Sequence, residues 1–285
     1  MTLADPLIDW FDRNARDLPW RRAEAGAWGV LVSEIMLQQT PVARVDPAWR
    51  AWLARWPTPA ALAADPPAEA IRAWGRLGYP RRALRLHECA VAIVTRHDGE
   101  VPDDLDALLA LPGIGGYTAR AVAAFAFGQR QPVVDTNVRR VVARAVTGVA
   151  DAATDLATVL ALLPVEPARA VRASAAFMEL GALVCTARNP RCTECPVVRA
   201  CAWRQAGQPP ADGPGRRPQR YAGTDRQVRG LLLAVLRDET EPVPLDRLDL
   251  VWPDPVQRGR ALTSLLADRL VVELPGHRYA LLGDR

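Results

Sequence analysis

Two carboxylates are candidates for acid–base chemistry, because an ionised group at their positions would cost free energy unless it had a partner or a function. Glu34 lies in the apolar stretch Trp28 to Gln39, on the same predicted helical face as Val30 and Leu37. Burial disfavours the ionised form of a carboxyl group. Glu34 is therefore either paired with another group, or held protonated and able to act as an acid near neutral pH.

The second carboxylate is Asp135, in the sequence Val-Val-Asp-Thr-Asn, which opens a predicted helix with Arg139 and Arg140 in its first turns. Aspartate is a favoured residue at the start of a helix, because its side chain accepts hydrogen bonds from unpaired backbone N–H groups. The residue types alone thus leave helix capping and acid–base chemistry both open. Two carboxylates whose surroundings separate their pKa values form a recurring acid–base arrangement.

Four of the five cysteines follow the spacing C-x6-C-x2-C-x5-C, at positions 185, 192, 195 and 201. The N-terminus has no secretion signal, so this spacing predicts a metal centre rather than disulfides. Zinc is the generic occupant of such a site, and thiolates equally hold an iron–sulfur cluster.

A glycine-rich turn, Pro112 to Gly116, separates a predicted helix over Asp103 to Leu111 from one over Tyr117 to Phe127. This is the pattern of a helix-hairpin-helix. Backbone N–H groups at the start of the second helix face solvent, and the glycines let a phosphate approach them closely. Such a hairpin binds a nucleic-acid backbone without contacting base edges.

Taken together, these segments resemble the MutY-type adenine DNA glycosylases of the helix-hairpin-helix, endonuclease III superfamily. The matching motifs are SEIMLQQT around Glu34, LPGIGGYTA in the hairpin, VVDTN around Asp135 and the cysteine spacing, and the match covers about residues 5–205. The resemblance implies a [4Fe–4S] cluster on Cys185, Cys192, Cys195 and Cys201. It also implies base excision repair in which adenine mispaired with 8-oxoguanine or guanine is released by hydrolysis of its N-glycosidic bond.

The resemblance further implies catalytic roles for four residues. Glu34 would protonate the flipped adenine at N7 and later activate water, while Asp135 would stay ionised and stabilise the oxocarbenium-like sugar, electrostatically or through a transient covalent bond. Tyr117 and Asn137 would support the sugar and Asp135.

Other implied roles concern binding. The pocket for the flipped base would contain Arg21, Leu37 and Glu179, although the residue types equally allow Glu179 a buried ion pair with an arginine. The predicted DNA-binding residues are Gln38, Gln39, Thr40, Tyr79, Gly113, Gly115, Arg139 and Arg188. Arg76, Arg81 and Arg82, which flank Tyr79, suit a DNA-facing turn as well. The family's tyrosine pair is Tyr79-Pro80 here, a departure from its pattern.

Three rival functions differ in the chemistry they need. A lyase of the endonuclease III type requires a lysine where this chain has Tyr117, and the sequence contains no lysine at all: its 36 basic side chains are all arginine. A thymine glycosylase for T:G mismatches would not require Glu34, since thymine leaves as a stabilised anion. A non-catalytic iron–sulfur DNA-binding regulator would not require Glu34 and Asp135 together.

The fold expected from these patterns is mainly α, a two-lobed helix-hairpin-helix glycosylase with an iron–sulfur loop and a small α+β winged-helix-like domain. The predicted parts are a glycosylase region at 1–205, with a six-helix lobe at about 23–127 and an iron–sulfur lobe at 1–22 with 128–205, a Pro/Gly/Arg linker at 206–222, and the winged-helix-like domain at 223–285. This last domain replaces the Nudix-like domain with which many family members inspect 8-oxoguanine. The preference for the opposite base is therefore open.

Composition agrees with a soluble protein that binds nucleic acid. The formal net charge is +4, and no apolar run approaches the roughly 18 residues that a membrane span needs. We expect a monomer in the bacterial cytoplasm, associated with the nucleoid. Its partner would be double-stranded DNA that contains a mismatched or oxidised base, and not a membrane.

Overall fold

The computed structural model describes residues 3–150, 154–210 and 221–284. Over these residues the α-helices are α1 (Ala4–Asn14), α2 (Gly26–Leu37), α3 (Val42–Arg55), α4 (Pro59–Ala64), α5 (Pro67–Trp74), α6 (Arg81–Arg96), α7 (Leu105–Leu109), α8 (Gly116–Phe125), α9 (Thr136–Val142), α10 (Leu156–Leu162), α11 (Pro167–Leu183), α12 (Ala202–Gln205), α13 (Asp225–Asp238), α14 (Leu245–Asp249) and α15 (Pro255–Ala267). The strands are β1 (Val243–Pro244), β2 (Val271–Leu274) and β3 (Arg278–Leu281). The prediction of a mainly helical fold is confirmed. Most of the predicted linker, residues 211–220, lies outside the described residues.

Helix α2 carries Glu34 and is apolar on nearly every side. Its buried side chains include Leu31, Val32, Ile35 and Met36. A helix without a polar face is stable only when it is surrounded by other elements. The sequence of α2 therefore predicts, and the structure has, a helix buried along most of its length.

The described residues form two compact units. The first comprises the described residues within 1–34, 103–110 and 114–215, and the second those within 35–102, 111–113 and 216–285. These divisions differ from the predicted boundaries at residues 22, 127 and 205. The core of the first unit forms where α1 and α9 pack against α11, around Phe11, Val141 and Phe177.

The second unit combines α3–α6 with the C-terminal elements. The order α13-β1-α14-α15-β2-β3, with an antiparallel sheet arranged β1-β3-β2, is the winged-helix topology. Ile71 of α5 and Leu84 of α6 belong to the same apolar cluster as Leu232 of α13 and Leu265 of α15. The C-terminal elements thus share a core with α5 and α6 instead of forming a compact unit of their own.

Polar contacts reinforce this shared core. Arg72 of α5 donates to both carboxylate oxygens of Asp284, at 2.9 and 2.7 Å, and to the carbonyl of Glu239 at 2.7 Å. In the opposite direction, Arg237 of α13 donates to the carbonyl of Ile71 at 2.9 Å. Both guanidiniums thus join α5 to the end of α13, and Arg72 also joins α5 to Asp284 after β3.

Candidate active site

Glu34 is a buried acid in the first unit. Only 6% of the surface of Glu34 is exposed. Burial raises the pKa of Glu34 to about 7, and the negative charge of Asp135 acts in the same direction. A hydrogen bond from the Tyr117 hydroxyl and the positive charge of Arg21 act against this rise in pKa. Near neutral pH the carboxyl group is consequently protonated in a large fraction of molecules.

Asp135 is the N-cap of α9, and donors engage both of its carboxylate oxygens. Its Oδ1 accepts from the backbone N–H of Val138 at 2.7 Å, and its Oδ2 accepts from Nδ2 of Asn137 at 2.8 Å. An ionised carboxylate only accepts hydrogen bonds, so this arrangement suits the charged form. The same contacts fix the direction in which the carboxylate points.

Arg140 lies behind Asn137. It donates to the side-chain oxygen of Asn137 at 2.8 Å, to the carbonyl of Gly181 at 2.7 Å and to the carbonyl of Cys185 at 2.7 Å. A Cβ at Gly181 would lie 2.6 Å from the Cβ of Asn137, so only glycine permits this approach of α11. A continuous chain of hydrogen bonds therefore runs from Asp135 to the backbone of the first cysteine.

Tyr117 lies in the first turn of α8, directly after the hairpin, and is half-buried. Burial raises its pKa well above the usual value for tyrosine, and the charges of Glu34 and Asp135 raise it further. The phenol is therefore a donor and not a nucleophile at neutral pH. This position offers no amine for imine formation.

Glu179 forms the ion pair that the residue types allowed. It has no exposed surface; Oε1 accepts from Arg16 at 2.7 Å and Oε2 accepts from Arg21 at 2.8 Å. Burial alone would raise the pKa of Glu179, but the hydrogen bonds from Arg16 and Arg21 outweigh it and hold this pKa at about 2. Glu179 thus anchors the segment that carries Arg21, and Arg16 is a partner that the sequence analysis did not identify.

The predicted DNA-facing residues of the second unit differ in exposure. Gln39 is exposed, Tyr79 is 50% exposed and Gln38 is half-buried, and Leu37, which was predicted for the base pocket, is half-buried as well. Thr40 is only 6% exposed, and its hydroxyl lies between Leu77 and Arg82. The Thr40 side chain is therefore internal, and a contact between this residue and DNA stays a prediction.

Arg82 also departs from expectation, because it is buried and not part of a DNA-facing surface. Its guanidinium donates to the loop that follows α2 and to the turn that precedes α6. The sequence did contain a signal that Arg82 is buried. Arg82 falls on the helical stripe of α6 that contains Leu86, Cys89 and Ile93, all of them buried.

The hairpin residues have the backbone conformations that their glycines predict. Gly113 has φ +78°, and a Cβ there would lie 2.7 Å from the Cβ of Arg85, so this position needs glycine. Gly115 caps α8 without any side-chain hydrogen bond to its first N–H groups. Arg139 and Arg188 are both exposed.

The four spaced cysteines line one cavity in the first unit, together with Arg144 and Trp203. None of the cysteines forms a disulfide. Among the described residues, no three metal-binding side chains converge as the ligands of a single ion do. Four thiols around one cavity are a donor set that can hold either a zinc ion or an iron–sulfur cluster.

The cavity also contains donors for sulfur. Arg144 lies 3.5 Å from the sulfur of Cys185, and Gln208 lies 3.6 Å from that of Cys192. Hydrogen bonds to sulfur ligands are a common feature of iron–sulfur sites. The site therefore combines four thiol ligands with two side chains that can donate hydrogen bonds to sulfur.

Comparisons with known proteins agree with this geometry. Residues 32–158 match the family described as HhH-GPD superfamily base excision DNA repair protein. The adenine DNA glycosylase of Mycolicibacterium smegmatis is 62% identical over 282 residues, which is 98% of this chain and 95% of that protein. The human adenine DNA glycosylase is 43% identical over 211 residues, covering 70% of this chain and 39% of that protein.

Solved structures share the fold. A thermostable thymine-DNA glycosylase superposes with a TM-score of 0.65 at 25% identity, over 71% of this chain and 95% of that one. An endonuclease III in a non-covalent complex with DNA superposes with a TM-score of 0.61 at 24% identity, over 72% and 94%. No helix in the described part of the chain has the length and apolar character of a membrane span. Given relatives of such identity over nearly its whole length, the chain belongs to the adenine DNA glycosylases, within the HhH-GPD superfamily of base excision repair proteins.

Proposed function

We propose that this chain is a monofunctional glycosylase that excises adenine mispaired with 8-oxoguanine or guanine. The observation that carries the proposal is the pair of unlike carboxylates: a buried Glu34 whose pKa is about 7, and a capped Asp135 whose charge raises that pKa. Such a pair supplies both a proton and a negative charge near neutral pH.

Adenine is a poor leaving group because the departing nitrogen must carry negative charge. In the proposed reaction, the Glu34 carboxyl transfers its proton to N7 of the flipped base, and the bond between C1′ and N9 breaks with its electron pair going to the base. The ionised Asp135 stabilises the positive charge that develops on the sugar. Water then adds to C1′ and gives a proton back to Glu34, which restores the enzyme.

We propose a [4Fe–4S] cluster as the occupant of the cysteine cavity, held by Cys185, Cys192, Cys195 and Cys201. When bound, such a cluster joins the loop between the four cysteines and stabilises its fold. The protein's own contribution is orientation. Arg140 connects the backbone of Cys185 to Asn137, which holds Asp135.

The proposed partner is double-stranded DNA. The hairpin glycines, Arg139 and Arg188 are suited to phosphate contacts, and Gln39 with Tyr79 to the strand opposite the adenine. Affinity should fall as salt concentration rises, because each arginine–phosphate contact releases counterions. We propose that the protein acts as a monomer in the bacterial cytoplasm.

The test is single-turnover cleavage of labelled duplexes that contain A opposite 8-oxoguanine, A opposite guanine, or T opposite guanine. We expect strand breaks on the adenine strand, and only after alkali treatment, since no lysine is present for strand cleavage. Glu34→Gln should abolish release, while Glu100→Gln, at an exposed carboxylate, should not change it. Release of thymine, or an unchanged rate in Glu34→Gln, would refute the acid assignment.

A further inference from the structure

One buried guanidinium in the second unit contacts two separate segments of chain. Arg82 is 9% exposed and stands near the start of α6. Its Nη1 donates to the carbonyls of Ile35 at 2.9 Å, Met36 at 3.0 Å and Gln38 at 2.6 Å, and its Nη2 donates to Thr40 Oγ1 at 3.0 Å and to the carbonyl of Gly78 at 3.0 Å. The first four acceptors belong to the end of α2 and the loop after it, and the last to the turn before α6.

Both segments contain a residue in an unusual backbone conformation. Gln39 has φ +56° and Tyr79 has φ +48°, in the left-handed region that residues with a side chain seldom adopt. Such conformations persist only where neighbouring contacts determine them. Three of the five hydrogen bonds of Arg82 end on residues directly beside Gln39 and Tyr79, namely Gln38, Thr40 and Gly78, and the other two end on the last turn of α2.

Aromatic rings complete the surroundings of this guanidinium. The centre of the Trp74 ring lies 5.2 Å from the Arg82 guanidinium carbon, and that of the Tyr79 ring 5.3 Å from it. Both distances are within the range of cation–π contact. Tyr79 thus rests partly on Arg82 while half of it remains exposed.

We propose that Arg82 is a positioning residue that holds Gln39 and Tyr79 in a fixed relation, so that both engage the strand opposite the adenine in a single binding event. Arg82 itself does not contact DNA. This inference rests on the proposed function, because the mismatch that the two residues would inspect is the one proposed above. Discrimination between mismatched and undamaged duplex would then depend on the buried side chain of Arg82.

Lysine cannot replace arginine in this position. Arginine presents its donors in a planar fork that reaches separate acceptors, whereas the lysine ammonium is one compact nitrogen with three donors. Arg82→Lys keeps the charge but cannot hold five acceptors on two segments. The conservative variant therefore separates charge from geometry.

Arg237 supplies a matched control within the same unit. Burial lowers the pKa of both Arg82 and Arg237 to about 10, and Arg237 donates to the carbonyl of Ile71, away from the two segments. Its replacement by lysine or methionine therefore removes a similar guanidinium without touching Gln39 or Tyr79. Any general effect of losing a buried arginine should appear in both sets of variants.

The experiment compares full-length wild type, Arg82→Lys, Arg82→Met, Arg237→Lys and Arg237→Met. Hydrogen exchange is measured on peptides spanning residues 36–41 and 76–81. Affinity is measured for an undamaged duplex and for one with a non-cleavable 2′-fluoro-adenosine opposite 8-oxoguanine. For both Arg82 variants we expect exchange in the two peptides to accelerate by about tenfold or more, and the ratio of the two affinities to fall by about tenfold or more.

The affinity for undamaged duplex should stay within about twofold of wild type in the Arg82 variants, since contacts to the phosphate backbone are retained. Arg237 variants should leave both the exchange and the affinity ratio within about twofold of wild type. Retention of the ratio in Arg82→Lys, or an equal loss in the Arg237 variants, would overturn the proposal. Failure of the wild-type protein to release adenine would instead refute the proposed function, and the exchange data would still decide whether Arg82 orders the two segments.

Discussion

The hydrogen bond from Tyr117 to Glu34 makes an unusual prediction: its removal should extend activity to higher pH. The phenol donates to the carboxylate form of Glu34 and so lowers the pKa of this acid. In Tyr117→Phe the ring remains and the donor is lost, so the pKa of Glu34 should rise. Since the protonated form is the proposed acid, adenine release should persist where the wild type has lost it.

The size of the effect follows from the burial of Glu34. A hydrogen bond to a buried charged group contributes about 1.4 kcal/mol, which corresponds to about one pKa unit. The pH above which the rate of adenine release falls should therefore move from about 7 in the wild type to about 8 in Tyr117→Phe. At about pH 8 the protonated fraction of Glu34 would increase from about one tenth to about one half, a fivefold gain.

The assay is the single-turnover rate of adenine release between about pH 5.5 and 9.5, where a single ionisation gives a tenfold loss of rate per pH unit above the pKa. The quantity to compare between variants is the pH at which the rate begins to fall. The rate on the plateau below that pH is less informative, because it also reflects any support that Tyr117 gives to the sugar. Tyr221→Phe, at an exposed tyrosine, should leave the profile unchanged. A fall in rate that begins at the wild-type pH or lower in Tyr117→Phe would refute this account of the Glu34 pKa.

Two further variants test Asp135 and its support. Asparagine caps helices about as well as aspartate, so Asp135→Asn should keep the bond from the Val138 N–H and lose only the acceptor for Asn137. It should lower the free energy of unfolding by only about 1 kcal/mol and yet lower adenine release by about 100-fold or more, and a loss of less than about tenfold would show that the charge is not needed. Gly181→Ala forces a methyl group against Asn137 and should lower the free energy of unfolding by about 1–3 kcal/mol in denaturant titrations. Gly259→Ala, with open space around it on α15, should instead be neutral or stabilising, and equal losses in both variants would argue against the close contact at Gly181.

The sequence was sufficient for features that depend on local pattern. The glycine-rich turn predicted a helix over 117–127 where α8 is found, and the sequence around Asp135 predicted a helix start where α9 begins. The two-residue strand β1 was not predicted, because a pair of residues has no periodicity to detect. The cysteine spacing likewise brought four thiols to one cavity, as a short loop between ligands must.

Features that depend on distant contacts were harder to predict. Arg76, Arg81 and Arg82 look alike in a glycine-rich turn, yet Arg76 and Arg81 are exposed and Arg82 is buried. Residue type does not distinguish them, and only the helical stripe that Arg82 shares with Leu86, Cys89 and Ile93 separates it from the other two arginines. The C-terminal elements were similarly predicted to be separate, since nothing in the sequence of α5 shows that Ile71 packs against α13.

Three carboxylates of the first unit have different roles because their surroundings differ. Glu34 is buried without a direct arginine partner among the causes of its pKa shift that act by hydrogen bonding, so burial favours its protonated form. Glu179 is equally buried, but two arginines hold it ionised and give it a structural task. Asp135 is engaged by a helix N-terminus and an amide, which suit the charged form.

The two interpretations of Asp135 that the sequence left open are therefore compatible. Capping α9 directs the carboxylate and supplies donors that an anion needs. The resulting negative charge acts on Glu34 and favours protonation of that residue. Helix capping thus helps to keep Glu34 protonated, as the proposed reaction requires. A variant that keeps the bond to the Val138 N–H and removes the charge, as Asp135→Asn does, should therefore lower the pKa of Glu34 as well as slow the reaction.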